Sequence, residues 1–245
     1  MKALHASKGR KSANEFIAEG PAAVTAALTS KRYPIQALYV TEAAASLLPE
    51  KSLTKAIYLS DKVMAAVSTV ENAQGVLAIC SMKSDVGAEE REEKVFSDTA
   101  LPLIYCSEVN DPGNLGTIIR TADALGAAGV LLSPGSADPF SPKVVRATAG
   151  SLWNIPVVRE FDLSLAVKIA RENDRAIFAT DGTGKRSLRE IKGAGALWIF
   201  GNEARGLTKE MASLADEVVA IPMRGRAESL NLATAVAITL FHANS

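Results

Sequence analysis

The chain of 245 residues has a formal net charge of zero at pH 7, a hydrophobic fraction of 48% and an aromatic fraction of only 5%. This composition is typical of an α/β protein with a core of small aliphatic side chains, and it excludes a disordered chain. The zero net charge also excludes a surface that is basic overall, so any contact with nucleic acid has to come from a local patch.

The rare residue types narrow the functional classes further. The two histidines, His5 and His242, stand at opposite ends of the chain, which argues against a His-based triad or a zinc site. Cys80 and Cys106 lie in apolar stretches and are expected to be free, buried thiols. No apolar run reaches the roughly 18 residues of a membrane span, and no secretory signal opens the chain. We therefore expect a soluble, cytoplasmic protein.

The first third of the chain alternates helical and strand-like segments. Its pattern predicts a helix over Glu15–Thr29, broken around Gly20-Pro21, and shorter helices over Ala43–Leu48 and Lys62–Ser68. Strands are predicted over Ile35–Val40, Ala56–Leu59 and Gly75–Cys80. Charge then peaks and apolar content falls over residues 81–98, which predicts a linker.

From Leu101 onward, apolar strands alternate with helices. Strands are predicted over Leu101–Cys106, Gly129–Leu132, Ala176–Thr180, Leu197–Phe200 and Glu217–Ile221. Helices are predicted over Gly116–Leu125, Pro142–Ala149, Ser164–Glu172, Thr208–Leu214 and Glu228–His242. Strands that are apolar throughout and separated by helices predict a parallel sheet covered on both faces. Ligands of such sheets bind beyond the carboxyl ends of the strands.

Three polar blocks follow apolar segments of this part of the chain. They are Asn110–Gly116 with Arg120, then Gly201–Leu207, then Ile221-Pro222-Met223 followed by Ser229-Leu230-Asn231. Because they fall where the carboxyl ends of parallel strands meet, they predict one binding site.

Each block also has a structural alternative. Asp111-Pro112-Gly113 suits a turn, and Arg120 could form a structural salt bridge. Glu203 could cap the next helix or pair with Arg205, and Ser229 could be an N-cap. The segment Gly182–Arg186 lacks the glycine spacing of a phosphate loop or a dinucleotide fingerprint and is better explained as a turn with a basic tip.

The order and spacing of the blocks match a known family. The matching positions are Asn114, Arg120, Gly201, Glu203, Gly206, Leu207, Ile221, Pro222, Met223, Ser229, Leu230 and Asn231. This set resembles the three motifs of the SpoU (TrmH-type) branch of the SPOUT RNA methyltransferases, over roughly residues 100–243. Residues 7–80, with Ser12–Gly20 and Gln74-Gly75-Val76, look like the L30e-like substrate-binding domain that often precedes such a catalytic domain.

The resemblance implies an α/β protein in three parts: an L30e-like domain over 1–82, a charged linker over 83–99, and a parallel-sheet α/β catalytic domain with a trefoil knot over 100–245. It implies methylation of a ribose 2′-hydroxyl in structured RNA with S-adenosylmethionine as cofactor. It further implies a homodimer and no metal.

The resemblance also assigns roles to individual residues. The active-site set comprises Asn114, Arg120, Glu203, Ser229 and Asn231, and the cofactor pocket comprises Thr180, Gly201, Ile221 and Leu230. The family account gives Arg120 the task of activating the hydroxyl. Because a guanidinium with a pKa above about 12 is not easily deprotonated, we favour Arg120 as a group that binds the developing alkoxide or the adjacent phosphate.

The substrate expected first is large-subunit (23S) ribosomal RNA, with transfer RNA as the alternative. RNA contacts are expected from the basic residues Lys8, Arg10, Lys11, Lys31 and Arg32. Two other classes stay open: a non-catalytic RNA-binding protein of the same fold, and a small-molecule α/β enzyme such as a dehydrogenase. Cofactor binding separates the three classes: the methyltransferase binds S-adenosylmethionine, the non-catalytic protein binds no cofactor, and the dehydrogenase binds a nucleotide.

Overall fold

The computed structural model of the chain describes residues 1–83 and 95–245. These residues form two compact units. The first contains residues 1–83 together with Asp138–Asn154, and the second contains the described residues from 95 to Ala137 together with Ile155–Ser245.

Up to residue 83 the elements are short. The α-helices are α1 (Ser7–Ala13), α2 (Pro21–Thr29), α3 (Glu50–Leu53) and α4 (Asp61–Val67), and the strands are β1 (Glu15–Glu19), β2 (Ile35–Val40), β3 (Ile57–Tyr58) and β4 (Val76–Ser81). Single 3₁₀ segments cover Lys2–His5 and Glu42–Leu47.

Beyond residue 95 strands and helices alternate, with 3₁₀ segments over Ser151–Trp153 and Leu188–Glu190. The strands are β5 (Leu103–Cys106), β6 (Gly129–Leu132), β7 (Val157–Val158), β8 (Ile177–Thr180), β9 (Arg186–Ser187), β10 (Leu197–Phe200) and β11 (Glu217–Ala220). The helices are α5 (Pro112–Ala124), α6 (Pro142–Ala147), α7 (Leu163–Glu172), α8 (Lys209–Leu214) and α9 (Leu232–Ala243).

The first unit is built on a four-stranded sheet in the order β1-β4-β2-β3. The prediction of a helix from Glu15 was wrong for its first part, since Glu15–Glu19 pairs antiparallel with β4. Phe16 and Ile17 are fully buried, and a short continuous apolar run of this kind suits a buried strand as well as a helix. Gly20, with φ of +93°, separates the strand from α2.

The segment Asp138–Asn154 packs within the first unit. Phe140 and Trp153 lie against Phe16, with ring centroids 4.9 and 5.8 Å away. Arg10 forms a buried ion pair with Asp138 at 2.7 Å. These contacts explain why a segment from the predicted catalytic region belongs to the first compact unit.

The second unit contains a seven-stranded sheet in the order β7-β6-β5-β10-β8-β11-β9, and all of its strand pairs are parallel. This confirms the predicted parallel α/β sheet. The four residues of β5 and of β10 are all buried, as expected for central strands covered on both faces.

The predicted linker over 83–99 falls largely on residues 84–94, which lie outside the described residues. At its end, Val95 and Phe96 are buried in the core of the second unit. The core of that unit therefore begins before residue 100. Within residues 1–83 and 95–245, every helix is too short or too polar to cross a lipid bilayer.

Candidate functional site

A pocket of about 400 Å³ opens at the carboxyl ends of three adjacent strands of the second unit. Thr180 ends β8, Gly201 follows β10 and Ile221 follows β11, and all three line the pocket together with Leu230. The pocket thus lies where parallel-sheet proteins bind their ligands. It brings together the four residues assigned to the cofactor.

The wall of this pocket is partly apolar and partly main chain. Phe200, Leu207 and Ala235 add apolar surface. A Cβ on Gly201 would lie 2.3 Å from the backbone of Gly206, so only glycine fits at the end of β10. Such a surface suits a flat apolar ring system bound through main-chain groups.

Asn202, which the motif comparison did not single out, shapes the loop after β10. It is buried, donates through Nδ2 to the Glu108 carbonyl at 2.7 Å, and accepts from the backbone amides of Ala204 and Arg205. Its own backbone exchanges hydrogen bonds with Gly206. The loop is therefore closed onto itself, which holds Glu203 at the pocket.

Three of the predicted catalytic side chains form one hydrogen-bonded chain. Asn231 Nδ2 donates to Asn114 Oδ1 at 2.8 Å, and Asn114 Nδ2 donates to Glu203 Oε1 at 3.3 Å. The Glu203 carboxylate also accepts from the backbone amide of Asn110 at 3.3 Å. These contacts form a polar wall that faces the apolar part of the same pocket.

The helices that carry this wall begin at capping residues. Asp111 caps α5 by accepting from the Asn114 amide at 2.8 Å, with Pro112 in the first turn, so the helix begins earlier than predicted. Asn231 caps α9 through Oδ1, which accepts from Ala233 N at 2.9 Å. Asn231 therefore fixes the start of the helix and the Asn114 contact together.

The structural alternatives considered for Glu203 and Ser229 do not apply. Thr208 caps α8 itself, and Arg205 pairs with Glu108. Ser229 is exposed at the pocket and makes no hydrogen bond with residues 1–83 or 95–245. Its hydroxyl is therefore available to a ligand.

Arg120 is the predicted catalytic residue that does not line the pocket. It is exposed on α5, six residues beyond Asn114, and its side chain makes no hydrogen bond or ion pair with the described residues. The structural salt bridge considered for Arg120 is therefore not seen among these residues.

Two further polar side chains line the pocket without having been predicted: Asp181 and Glu228. Asp181 accepts from the amide and hydroxyl of Thr183 at 2.9 and 2.7 Å, which closes the turn after β8. The position of Asp181 directly after a predicted strand was a usable signal, since the other site residues follow strands in the same way.

The basic residues predicted to contact RNA lie in the first unit in different surroundings. Lys8, Lys11 and Lys31 are exposed, and Arg32 is partly buried. Arg10 is 3% exposed, pairs with Asp138 and donates to the carbonyls of Leu4 and His5. The expectation for Arg10 needs correction, because its guanidinium is used inside the unit and RNA cannot reach it.

Neither cysteine is a nucleophile. Burial raises the pKa of Cys80 to about 12. Burial, and secondarily the charge of Glu203, raises the pKa of the Cys106 thiol well above its ordinary value. Both thiols stay protonated near neutral pH. Among the described residues, no group of three or more His, Cys, Asp or Glu side chains is arranged to hold a metal ion.

The site residues fall inside a region that matches a family model. Residues 102–241 match the model of the SpoU rRNA methylase family. The chain belongs to the SpoU rRNA methylase family. Residues 1–78 match the MRM3-like substrate binding domain, so the resemblance carried by the motifs is confirmed in both parts of the chain.

Relatives of the SpoU family resemble the chain over nearly its whole length. The 23S rRNA (guanosine(2553)-2′-O)-methyltransferase RlmP of Bacillus subtilis is 34% identical over 98% of this chain and 93% of its own. The AdoMet-bound rRNA methyltransferase of Sinorhizobium meliloti has a TM-score of 0.83 and 32% identity, over 99% of this chain and 91% of its own. The SpoU methyltransferase AviRb of Streptomyces viridochromogenes, in complex with AdoMet, has a TM-score of 0.83 and 27% identity, over 99% of this chain and 94% of its own.

Proposed function

We propose that this protein is an S-adenosylmethionine-dependent methyltransferase that methylates a ribose 2′-hydroxyl in large-subunit (23S) ribosomal RNA. The observation that carries the proposal is the hydrogen-bonded chain Asn231–Asn114–Glu203 along one side of a pocket that also has apolar walls. Family membership, and relatives named for this reaction on 23S rRNA, support the substrate.

The pocket fits the cofactor on its own chemistry. Gly201 has no room for a Cβ, and Ile221 and Leu230 provide apolar walls for the adenine and the methionine chain. Thr180 ends the neighbouring strand in the same wall. When bound, S-adenosylmethionine supplies an electrophilic methyl group on a sulfonium, so the protein has to position the 2′-oxygen and accommodate its proton.

The polar wall performs the positioning. Glu203 accepts a hydrogen bond from the side-chain nitrogen of Asn114, and Asn231 donates one to the side-chain oxygen of Asn114. Neither asparagine side chain is therefore free to rotate. The Ser229 hydroxyl is free to hydrogen-bond the ribose. Holding the reacting oxygen in line in this way can supply several kcal/mol of the barrier.

We assign Arg120 to the stabilisation of charge that develops on the 2′-oxygen or on the neighbouring phosphate. Because Arg120 of one chain lies outside that chain's pocket, we propose that it acts at the pocket of a second copy in a homodimer. The exposed Ile238 and Phe241 on α9, at 37% and 69% exposure, support such an interface. The helix α9 packs against α5, the helix that carries Arg120.

The proposal includes the deep trefoil knot that the family resemblance implies. The position of β10 between β5 and β8, with α9 returning against α5, is in keeping with it. We place the enzyme in the cytoplasm, as expected from its sequence. Lys8, Lys11, Lys31 and Arg32 stay assigned to RNA contact as a local basic patch.

A map of 2′-O-methylated positions in total RNA tests the proposal. We expect one position in large-subunit ribosomal RNA to lose its methyl group in cells without this protein. Wild type is expected to restore it, whereas Arg120→Ala is not. A map in which no ribosomal or transfer RNA position changes would contradict the proposal and favour a non-catalytic RNA-binding protein.

A further inference from the structure

The first unit has a polar pocket of its own, at the end of β1 beside the loop over residues 69–75. A buried carboxylate anchors it. The Glu19 side chain is 5% exposed and accepts from the backbone amide of Thr69 at 3.1 Å and from the hydroxyls of Ser68 and Thr69. The floor of the pocket is therefore fixed by hydrogen bonds.

Arg146 of α6 is attached to this floor and reaches into the pocket. Its Nη1 lies 3.6 Å from Glu19 Oε2 and donates to the Thr69 hydroxyl, while 31% of the side chain stays exposed. Within the described residues both contacts use Nη1, so the other N–H groups of the guanidinium are available to a ligand.

Gly20 leaves space for the Gln74 side chain, which lines the pocket. A Cβ on Gly20 would lie 2.7 Å from Gln74 Oε1, and Gly20 has φ of +93°, so a larger residue there would displace Gln74. Gln74, Asn72 and Glu71 line the pocket, are exposed, and make no hydrogen bond with the described part of the chain. The pocket thus presents amide and carboxylate groups together with guanidinium N–H donors.

The charge of the pocket selects among RNA groups. The residues that line the pocket include two carboxylates, Glu19 and Glu71, and one guanidinium, that of Arg146. A phosphate would therefore meet net negative charge. A neutral nucleobase meets no such penalty and can use donors and acceptors together. Guanine suits the set best, because its N–H groups can donate to the Glu71 carboxylate while O6 and N7 accept from amide or guanidinium N–H groups.

We propose that this pocket binds an unpaired guanine base of the RNA substrate. The inference rests on the proposed function, because it takes the RNA as the ligand. It adds a base-specific contact to the first unit, in which the match to a substrate-binding domain ends at residue 78 and does not include Arg146.

The test measures RNA binding by the full chain with single-stranded heptanucleotides. Each probe is a run of uridines with a central guanosine, adenosine or cytidine, labelled for fluorescence anisotropy. We expect the guanosine probe to bind about tenfold more tightly than the other two, the discrimination of one bidentate base contact. Glu71→Gln combined with Gln74→Ala is expected to abolish that preference.

A matched variant controls for the loss of surface groups. Glu42→Gln combined with Gln36→Ala changes the same residue types at exposed positions of the first unit outside the pocket, and it should keep the preference. A central 6-thioguanosine should crosslink to peptides that contain residues 69–75 or Arg146. Equal binding of the three probes, a preference retained in the pocket variant, or crosslinks only elsewhere would overturn the inference.

Methyl transfer to large-subunit RNA, measured on the same preparations, separates this inference from the proposed function. If wild type methylates the RNA but the pocket variant keeps its guanine preference, the inference alone fails. If wild type neither methylates RNA nor binds S-adenosylmethionine, the proposed function fails.

Discussion

In the proposed homodimer, the position of Arg120 predicts which of the two copies it serves. Arg120 follows Asn114 by six residues on α5, which corresponds to about 9 Å along the helix axis and about 240° around it. Asn114 lines the pocket and Arg120 does not. If Arg120 acts at the pocket of the other copy, an intact site needs Arg120 from one chain and Asn231 from its partner.

The perturbation is therefore a mixed dimer of two inactive variants. Arg120→Ala is expected to lower kcat/KM by about 100-fold or more, the cost of losing one charge-stabilising donor. Asn231→Asp keeps an oxygen to cap α9 but replaces the N–H that donates to Asn114, so it breaks the polar wall without removing the cap.

In a mixed dimer, one of the two pockets has its own Asn231 and receives Arg120 from the partner. Such dimers should show about half of the wild-type activity, since each two-fold dimer carries two equivalent sites. The two chains are coexpressed with different tags and purified through both. Transfer of a labelled methyl group to ribosomal RNA is then measured.

A second mixed dimer provides the control. Arg189→Ala removes an exposed arginine outside the pocket, so its combination with Asn231→Asp should also retain about half of the activity. If the control is active while the Arg120→Ala mixture is not, Arg120 serves its own chain and the reasoning is refuted. A pure Arg120→Ala enzyme with near-normal turnover would refute the catalytic role itself.

Three further predictions concern residues around the core and the pocket. Arg175 is buried and donates to the carbonyls of residues 95, 96, 98, 101 and 195. Arg175→Ala should therefore lower the free energy of unfolding, measured by urea titration, by about 3 kcal/mol. An unchanged midpoint of the urea unfolding curve would contradict this prediction. Gly201→Ala should abolish binding of S-adenosylmethionine in calorimetry, whereas Gly225→Ala, where a Cβ meets nothing within 4 Å, should leave binding intact. Because the pKa of Cys80 is raised to about 12, the folded protein keeps the thiol proton at pH values where the unfolded chain, with a pKa of about 8.5, loses it. The free energy of unfolding should therefore be unaffected by this group below about pH 8.5 and should fall from there toward pH 12. Cys80→Ala should flatten the decline. A decline of equal slope in that variant would show that other groups cause it.

Local patterns were sufficient for much of the second unit. Strands β5 and β10 are apolar throughout, and this pattern, together with the helices between the strands, predicted a covered parallel sheet. Since parallel strands end at the same edge, polar residues after β8, β10 and β11 could be expected at one pocket. The error at Glu15–Glu19 arose where periodicity is ambiguous, because a short apolar run suits a buried strand and a buried helix alike.

Long-range contacts decided the rest. The amino-acid sequence by itself determined the sheet type, the strand ends that form the pocket and the residue types available there, because these depend on spacing along a few neighbouring residues. Only the tertiary structure decided that Arg10 is buried against Asp138, that Arg120 does not line the pocket, and that Arg146 pairs with Glu19 in a second pocket. The pairs Arg10–Asp138 and Glu19–Arg146 join residues more than a hundred positions apart in the sequence. Burial and pairing of a charged side chain depend on such distant partners, and no local pattern specifies them.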